Sequence, residues 1–100
     1  MTPEGKVKAA VKKVLNSYSN VWYFMPVLTG YGVAGIPDFI CSVGGKFLAI
    51  ECKAEDGRLT AMQVKTIDDI NRIGGRAYVI GPDEVTDLKA LVNMMGGVKK

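Results

Sequence analysis

Residues 36–53 read Ile36-Pro37-Asp38-Phe39-Ile40-Cys41-Ser42-Val43-Gly44-Gly45-Lys46-Phe47-Leu48-Ala49-Ile50-Glu51-Cys52-Lys53. Two β-type runs, Ile36 to Val43 and Lys46 to Lys53, flank a Gly-Gly pair, and glycine supplies the positive φ angles that a tight hairpin turn requires. With Gly44 and Gly45 as the turn, Val43 faces Lys46 and Asp38 lies directly opposite Glu51. Alternation away from the turn makes Asp38 and Glu51 a non-hydrogen-bonded pair, with Cβ atoms roughly 4.5–5.5 Å apart. Like charges so placed destabilise a strand pair, and a divalent cation is the natural compensation. Lys53, two residues beyond Glu51, points to the same face. Oxygen ligands without imidazole or thiolate favour Mg²⁺ or Mn²⁺ over zinc. In the same register Pro37 faces Cys52 and has no N–H to give it, which leaves the Cys52 carbonyl open as a further ligand. The alternative is a surface ion cluster in which Lys53 neutralises one acid.

Outward from the hairpin, Thr2 and Pro3 cap and start a helix over residues 3–18, with Val7, Ala10, Val11, Val14, Leu15 and Tyr18 on one face. Its other face carries Lys6, Lys8, Lys12 and Lys13, either a solvated surface or a phosphate-facing stripe. Val21 to Leu28 reads as a buried strand, with Trp22, Tyr23 and Phe24 in the core. A loop with Gly30, Gly32 and Gly35 follows. Thr60 and Gln63 form a capping box that opens a helix through Ile67, Ile70 and Ile73 to Gly74-Gly75. Arg76 to Ile80 is a short strand, and Val85, Leu88, Leu91, Val92 and Met95 mark a last helix. The order is αβββαβα.

One hundred residues make one domain with one core, and 48% apolar with 23% charged residues is the balance of an ordinary globular chain. No histidine is present, which excludes Ser-His-Asp and Cys-His triads and His-ligated zinc. Catalysis falls to carboxylates, lysine or the two thiols. Val21 to Leu28 is short of the roughly 20 residues a membrane helix needs. Cys41 pairs with Leu48, four residues from Cys52 and so roughly 13 Å away, too far for a disulfide. Both thiols are expected reduced, in the core of a cytoplasmic protein. The net charge of +3 permits a polyanionic partner without requiring one.

Gly35-Ile36-Pro37-Asp38, the twelve-residue gap, and Glu51-Cys52-Lys53 resemble the PD-(D/E)XK nuclease superfamily. The run Phe47-Leu48-Ala49-Ile50-Glu51-Cys52-Lys53-Ala54, then Gly57, Leu59 and Gln63 at a helix start, extend the likeness to its VRR-NUC branch over nearly the whole chain. The resemblance implies an α/β fold: a single-domain restriction-endonuclease-like αβββαβ core over residues 1–100, with a mixed central sheet and a C-terminal helix. It makes Asp38 and Glu51 ligands of Mg²⁺, for which Mn²⁺ can substitute, joined by the Cys52 carbonyl. Lys53 would orient the attacking water and stabilise charge on the phosphorane. Glu4 sits where related families place a helix-borne glutamate, although a helix N-terminus favours acids anyway. Gln63 matches a family glutamine, although the capping box accounts for it as well.

The implied activity is hydrolysis of DNA, at Holliday junctions or other branched structures, since free-standing domains of this size resemble phage and bacterial junction resolvases. One site per chain then requires a C₂ homodimer for two symmetric cuts, through the last helix or the Val21 to Leu28 strand. The resemblance implies no organic cofactor and no membrane, and a location in the cytoplasm of a bacterial or phage-infected cell. A monomeric flap or repair nuclease, and a non-catalytic nucleic-acid-binding module, are the alternatives. Candidate DNA contacts are Tyr31, Gly32, Lys46, Arg58 and Lys65.

Overall fold

The computed structural model describes residues 1–27 and 34–100. Its elements are α1 (Pro3–Asn16), β1 (Val21–Phe24), β2 (Phe39–Val43), β3 (Lys46–Cys52), α2 (Ala61–Arg72), β4 (Ala77–Ile80) and α3 (Val85–Met94), with a 3₁₀ turn at Pro82–Glu84 leading into α3. The strands form one sheet in the order β1-β2-β3-β4. The first three run antiparallel and β4 lies parallel to β3. A parallel neighbour needs a crossover, and α2 provides it. The expected αβββαβα order and mixed sheet are observed.

The hairpin register is the expected one. Val43 pairs with Lys46 and Phe39 with Ile50, and Gly44 and Gly45 take φ of 54° and 88°. Pairing and alternation place Val21, Tyr23, Phe39, Cys41, Val43, Leu48, Ile50 and Cys52 on one face. Val7, Val11, Val14 and Leu15 of α1 and Leu88 and Val92 of α3 close over it. Each large side chain fully buried there contributes about 1.5–3 kcal/mol. Both cysteines are buried and free, as expected. Among the described residues no helix is long and apolar enough to cross a membrane.

The boundaries differ from expectation where side chains compete with the backbone. Helix α1 stops at Asn16, because the Ser17 hydroxyl donates to the Val14 carbonyl at 2.6 Å. Tyr18 then turns into the core, where its hydroxyl donates to Asn93 Oδ1 at 2.7 Å. Strand β2 begins at Phe39 rather than Ile36. The Cys52 N–H that would continue the ladder donates to Asp38 Oδ2 at 2.8 Å.

The larger correction concerns the Val21 to Leu28 run. Strand β1 covers only Val21–Phe24 and lies at the sheet edge; Met25 to Val27 are not strand, and Leu28 falls outside the described residues. Tyr23 packs on the core, but Trp22 is 65% and Phe24 45% exposed. A continuous apolar run looks the same in a buried strand and in an edge strand with one open face. Helix α2 covers only the β3–β4 end of that second face. It has no fully buried residue, and Ile73, expected on its apolar stripe, is 80% exposed.

Gly35 ties the segment before Asp38 to the start of α2. Its φ is +80°, and a Cβ there would lie 2.5 Å from the Met62 carbonyl oxygen. The left-handed conformation alone costs about 1–3 kcal/mol for a residue with a side chain. Gly35→Ala is therefore expected to lower Tm by roughly 5–15 °C. Gly45→Ala, with similar φ but nothing within 4 Å, should lose less. Equal losses in thermal melts of the two variants would show that the approach to Met62 is not tight.

Candidate active site

The open end of the hairpin gathers charge. Continuing the ladder past Phe39 and Ile50 sets Asp38 opposite Glu51, as the two-residue turn requires. Glu51 is 3% exposed. Burial first, and then the Asp38 carboxylate beside it, push its pKa up to about 7 against the pull of Lys53. Burial and Asp38 thus favour the protonated form of Glu51, and a cation would compete with that proton. Its Oε2 accepts from Gln63 Nε2 at 3.1 Å and lies 3.8 Å from Lys53 Nζ. Its Oε1 is buried with no partner.

Helix α1 presents its first turn to this cluster. Thr2 caps it, accepting from the Gly5 N–H at 3.0 Å, and Glu4 in that turn reaches Lys53 Nζ with Oε1 at 3.9 Å. Lys53 is fixed from behind, because its N–H donates to the Ile80 carbonyl of β4 at 3.1 Å. Gln63 serves two roles at once. Its Oε1 accepts from the Thr60 N–H at 2.9 Å, and its own N–H donates to the Thr60 hydroxyl at 3.1 Å. The cap accounts for the carbonyl end of the amide, and the NH₂ end is turned to Glu51.

Lys8 belongs to this cluster, although the sequence places it only in the lysine stripe of the first helix. Its Nζ lies 3.4 Å from Asp38 Oδ1 and 3.6 Å from Glu4 Oε2. Burial works against its charge, but Asp38 and Glu4 outweigh that and raise its pKa. The only sequence signal was the i, i+4 spacing from Glu4. Lys6, Lys12 and Lys13 of the same helix stay exposed.

Among the described residues, no other candidate side chain is bonded to this cluster. Lys46 sits at the turn end of the hairpin, five residues of strand and so roughly 17 Å from Glu51. Arg58 is exposed in the segment between β3 and α2. Lys65 is paired with Asp69 at 2.7 Å, and Asp69 also receives Arg72. Those two partners hold the Asp69 carboxyl below its ordinary value. Tyr31, Gly30 and Gly32 lie outside the described residues.

Burial pushes both thiols up to about 12. Neither supplies a thiolate at neutral pH. What is left is two opposed carboxylates and the Cys52 carbonyl. These can hold one hard cation; among the described residues no three Asp, Glu, His or Cys side chains form a ready-made cage.

No protein-family model and no curated protein matches the chain. A solved structure described as a VRR_NUC domain is similar, with a TM-score of 0.75 at 22% identity, over 88% of this chain and 95% of that one. At that identity the likeness shows the fold, and the restriction-endonuclease-like α/β architecture that the sequence led us to expect is borne out.

Proposed function

We propose that residues 1–100 form a nuclease domain of the PD-(D/E)XK type, which hydrolyses DNA phosphodiester bonds with Mg²⁺, or Mn²⁺ in its place, and acts on Holliday junctions or other branched DNA as a cytoplasmic homodimer. The observation that carries this is Glu51, a buried carboxylate with one oxygen left without a partner, on the strand position opposite Asp38. A fold gains no stability from opposing a buried acid to a second, partly buried one, whereas a divalent ion would satisfy both. The fold is that of the VRR_NUC structure.

A metal bound there would lower the pKa of the attacking water and support the leaving 3′ oxygen. The chain's own residues do the rest. Gln63 holds the Glu51 carboxylate in orientation, and the Cys52 N–H does the same for Asp38. Lys53, set by Glu4 and by β4, holds the attacking water and balances charge building on the phosphoryl oxygens. No residue has to act as an imidazole base, so the missing histidine is no obstacle. Bound metal offsets Asp38 and Glu51, which leaves the face toward DNA more basic than +3 suggests.

For dimerisation we favour the β1 edge over α3. The Trp22 and Phe24 rings pack at a tilt, 5.8 Å between centroids. Met25, Val27 and Phe47 are exposed as well, the apolar side chains that an interface of standard size, ~800 Å² per partner, would cover. The test is cleavage of labelled four-way junction, flap and linear duplex in Mg²⁺, with gel filtration and light scattering on the same protein. Junction cleavage should be abolished by EDTA and by Asp38→Ala, and DNA affinity should fall steeply with salt. Cleavage that survives Asp38→Ala would show the site to be elsewhere, and a strict monomer would leave a nuclease but not a symmetric resolvase.

A further inference from the structure

We infer that Lys8 is a second site lysine, which holds the cation position on Asp38 while no metal is bound and is released to the DNA phosphate when a metal takes its place. This rests on the metal-dependent reading of the site above.

The geometry divides the carboxylates between two ammonium groups. Lys53 lies between Glu51 Oε2 and Glu4 Oε1, whereas Lys8 lies between Asp38 Oδ1 and Glu4 Oε2. Each oxygen of Glu4 thus serves one lysine. On Asp38, Oδ2 is already engaged by the Cys52 N–H. The oxygen with no N–H on it is Oδ1, the less hindered one for a cation, and Lys8 Nζ lies 3.4 Å from it. A divalent ion on either Asp38 oxygen would stand close to that ammonium, and two cations at such a separation repel each other strongly in a half-buried site.

A helical Glu–Lys pair four residues apart is ordinary surface chemistry. Lys8 differs because its closer partner comes from another element and is itself only 19% exposed. The Lys8 side chain is 35% exposed, against 15% for Lys53. Once displaced, Lys8 has solvent to move into, while Lys53 stays enclosed. Its new position is bounded by Glu4 and the mouth of the site, where a phosphate must come to reach the metal. Lysine suits this exchange, since its ammonium is a compact point charge on a flexible stem.

The experiment compares the parent protein, Lys8→Met and Lys8→Arg in two measurements. Calorimetric titration of Mn²⁺ into DNA-free protein should show Lys8→Met binding the ion at least about fivefold more tightly, as expected when a competing cation is removed. Fluorescence anisotropy of a labelled four-way junction in Ca²⁺ should show Lys8→Met losing about fivefold or more in affinity, with a salt slope lower by about one. In EDTA the loss should be under about twofold, and Lys8→Arg should retain the Ca²⁺-dependent affinity. Unchanged Mn²⁺ affinity, or an equal DNA loss in Ca²⁺ and EDTA, would overturn the inference and leave Lys8 a fixed surface charge. Failure of the parent protein to bind Mn²⁺ at all would instead overturn the metal-dependent reading itself. Thermal melts confirm that each variant is folded.

Discussion

At pH 8 and without divalent metal, Glu51→Gln is expected to melt roughly 8–15 °C above the parent protein while losing all metal-dependent cleavage. Glu51 is buried beside Asp38 and its pKa is raised to about 7. In the unfolded chain it titrates near its ordinary value of 4.5. Between these values the folded state binds the proton and the unfolded state does not, so stability falls as pH rises from about 4.5 to 7. Above pH 7 the full cost of burying the charge is present, on the order of 2–3 kcal/mol, with the pull of Lys53 already included in the shift. Glutamine keeps the shape, removes the charge and still receives the Gln63 N–H through its carbonyl.

The gain should therefore shrink as pH is lowered and vanish below about pH 4.5, where both states of the parent hold the proton. Saturating Mn²⁺ should reverse the order, stabilising the parent and not the variant. A stability difference independent of pH between 4 and 8 would show that Glu51 is not charged at cost.

The second large effect is expected at Lys53. Lys53→Ala should lower junction cleavage by about 10³-fold or more, because the charge that develops on the phosphoryl oxygens loses its fixed partner in a poorly solvated site. Mn²⁺ binding should survive, since Lys53 is not a ligand and removes attraction between the acids and the metal. Loss of cleavage with metal binding intact is the diagnostic pair; loss of both would place Lys53 in the structure of the site rather than in its chemistry. Glu4→Ala should cost less, about tenfold to a hundredfold, because Glu4 acts by positioning Lys53.

The hairpin and its charge pair were legible because they depend on nearest-neighbour rules. A two-residue Gly-Gly turn admits one register, and the register alone opposes Asp38 to Glu51. The capping box at Thr60 was legible for the same reason. What sequence could not resolve at Gln63 was a choice between cap and acid, and the amide makes both contacts with its two ends. Lys8 was out of reach in the sequence, since three other lysines share its helix and only the angle at which α1 meets the sheet singles it out. Trp22 and Phe24 were misplaced because burial of an aromatic strand depends on whether a neighbour covers it, which apolarity does not report.

The sequence by itself determined the order αβββαβα, the hairpin register, the opposition of two acids with a lysine on the same face, and the exclusion of imidazole chemistry. These follow from local backbone preferences and strand alternation, which act over a few residues. Only the tertiary structure decided that β1 lies at an open edge, that α2 covers half of one face, and that α1 brings Glu4 and Lys8 to the carboxylates of a hairpin thirty or more residues away. Those outcomes depend on how whole elements pack, because the burial that raises the pKa of Glu51 and leaves one of its oxygens without a partner is a property of the assembled layers.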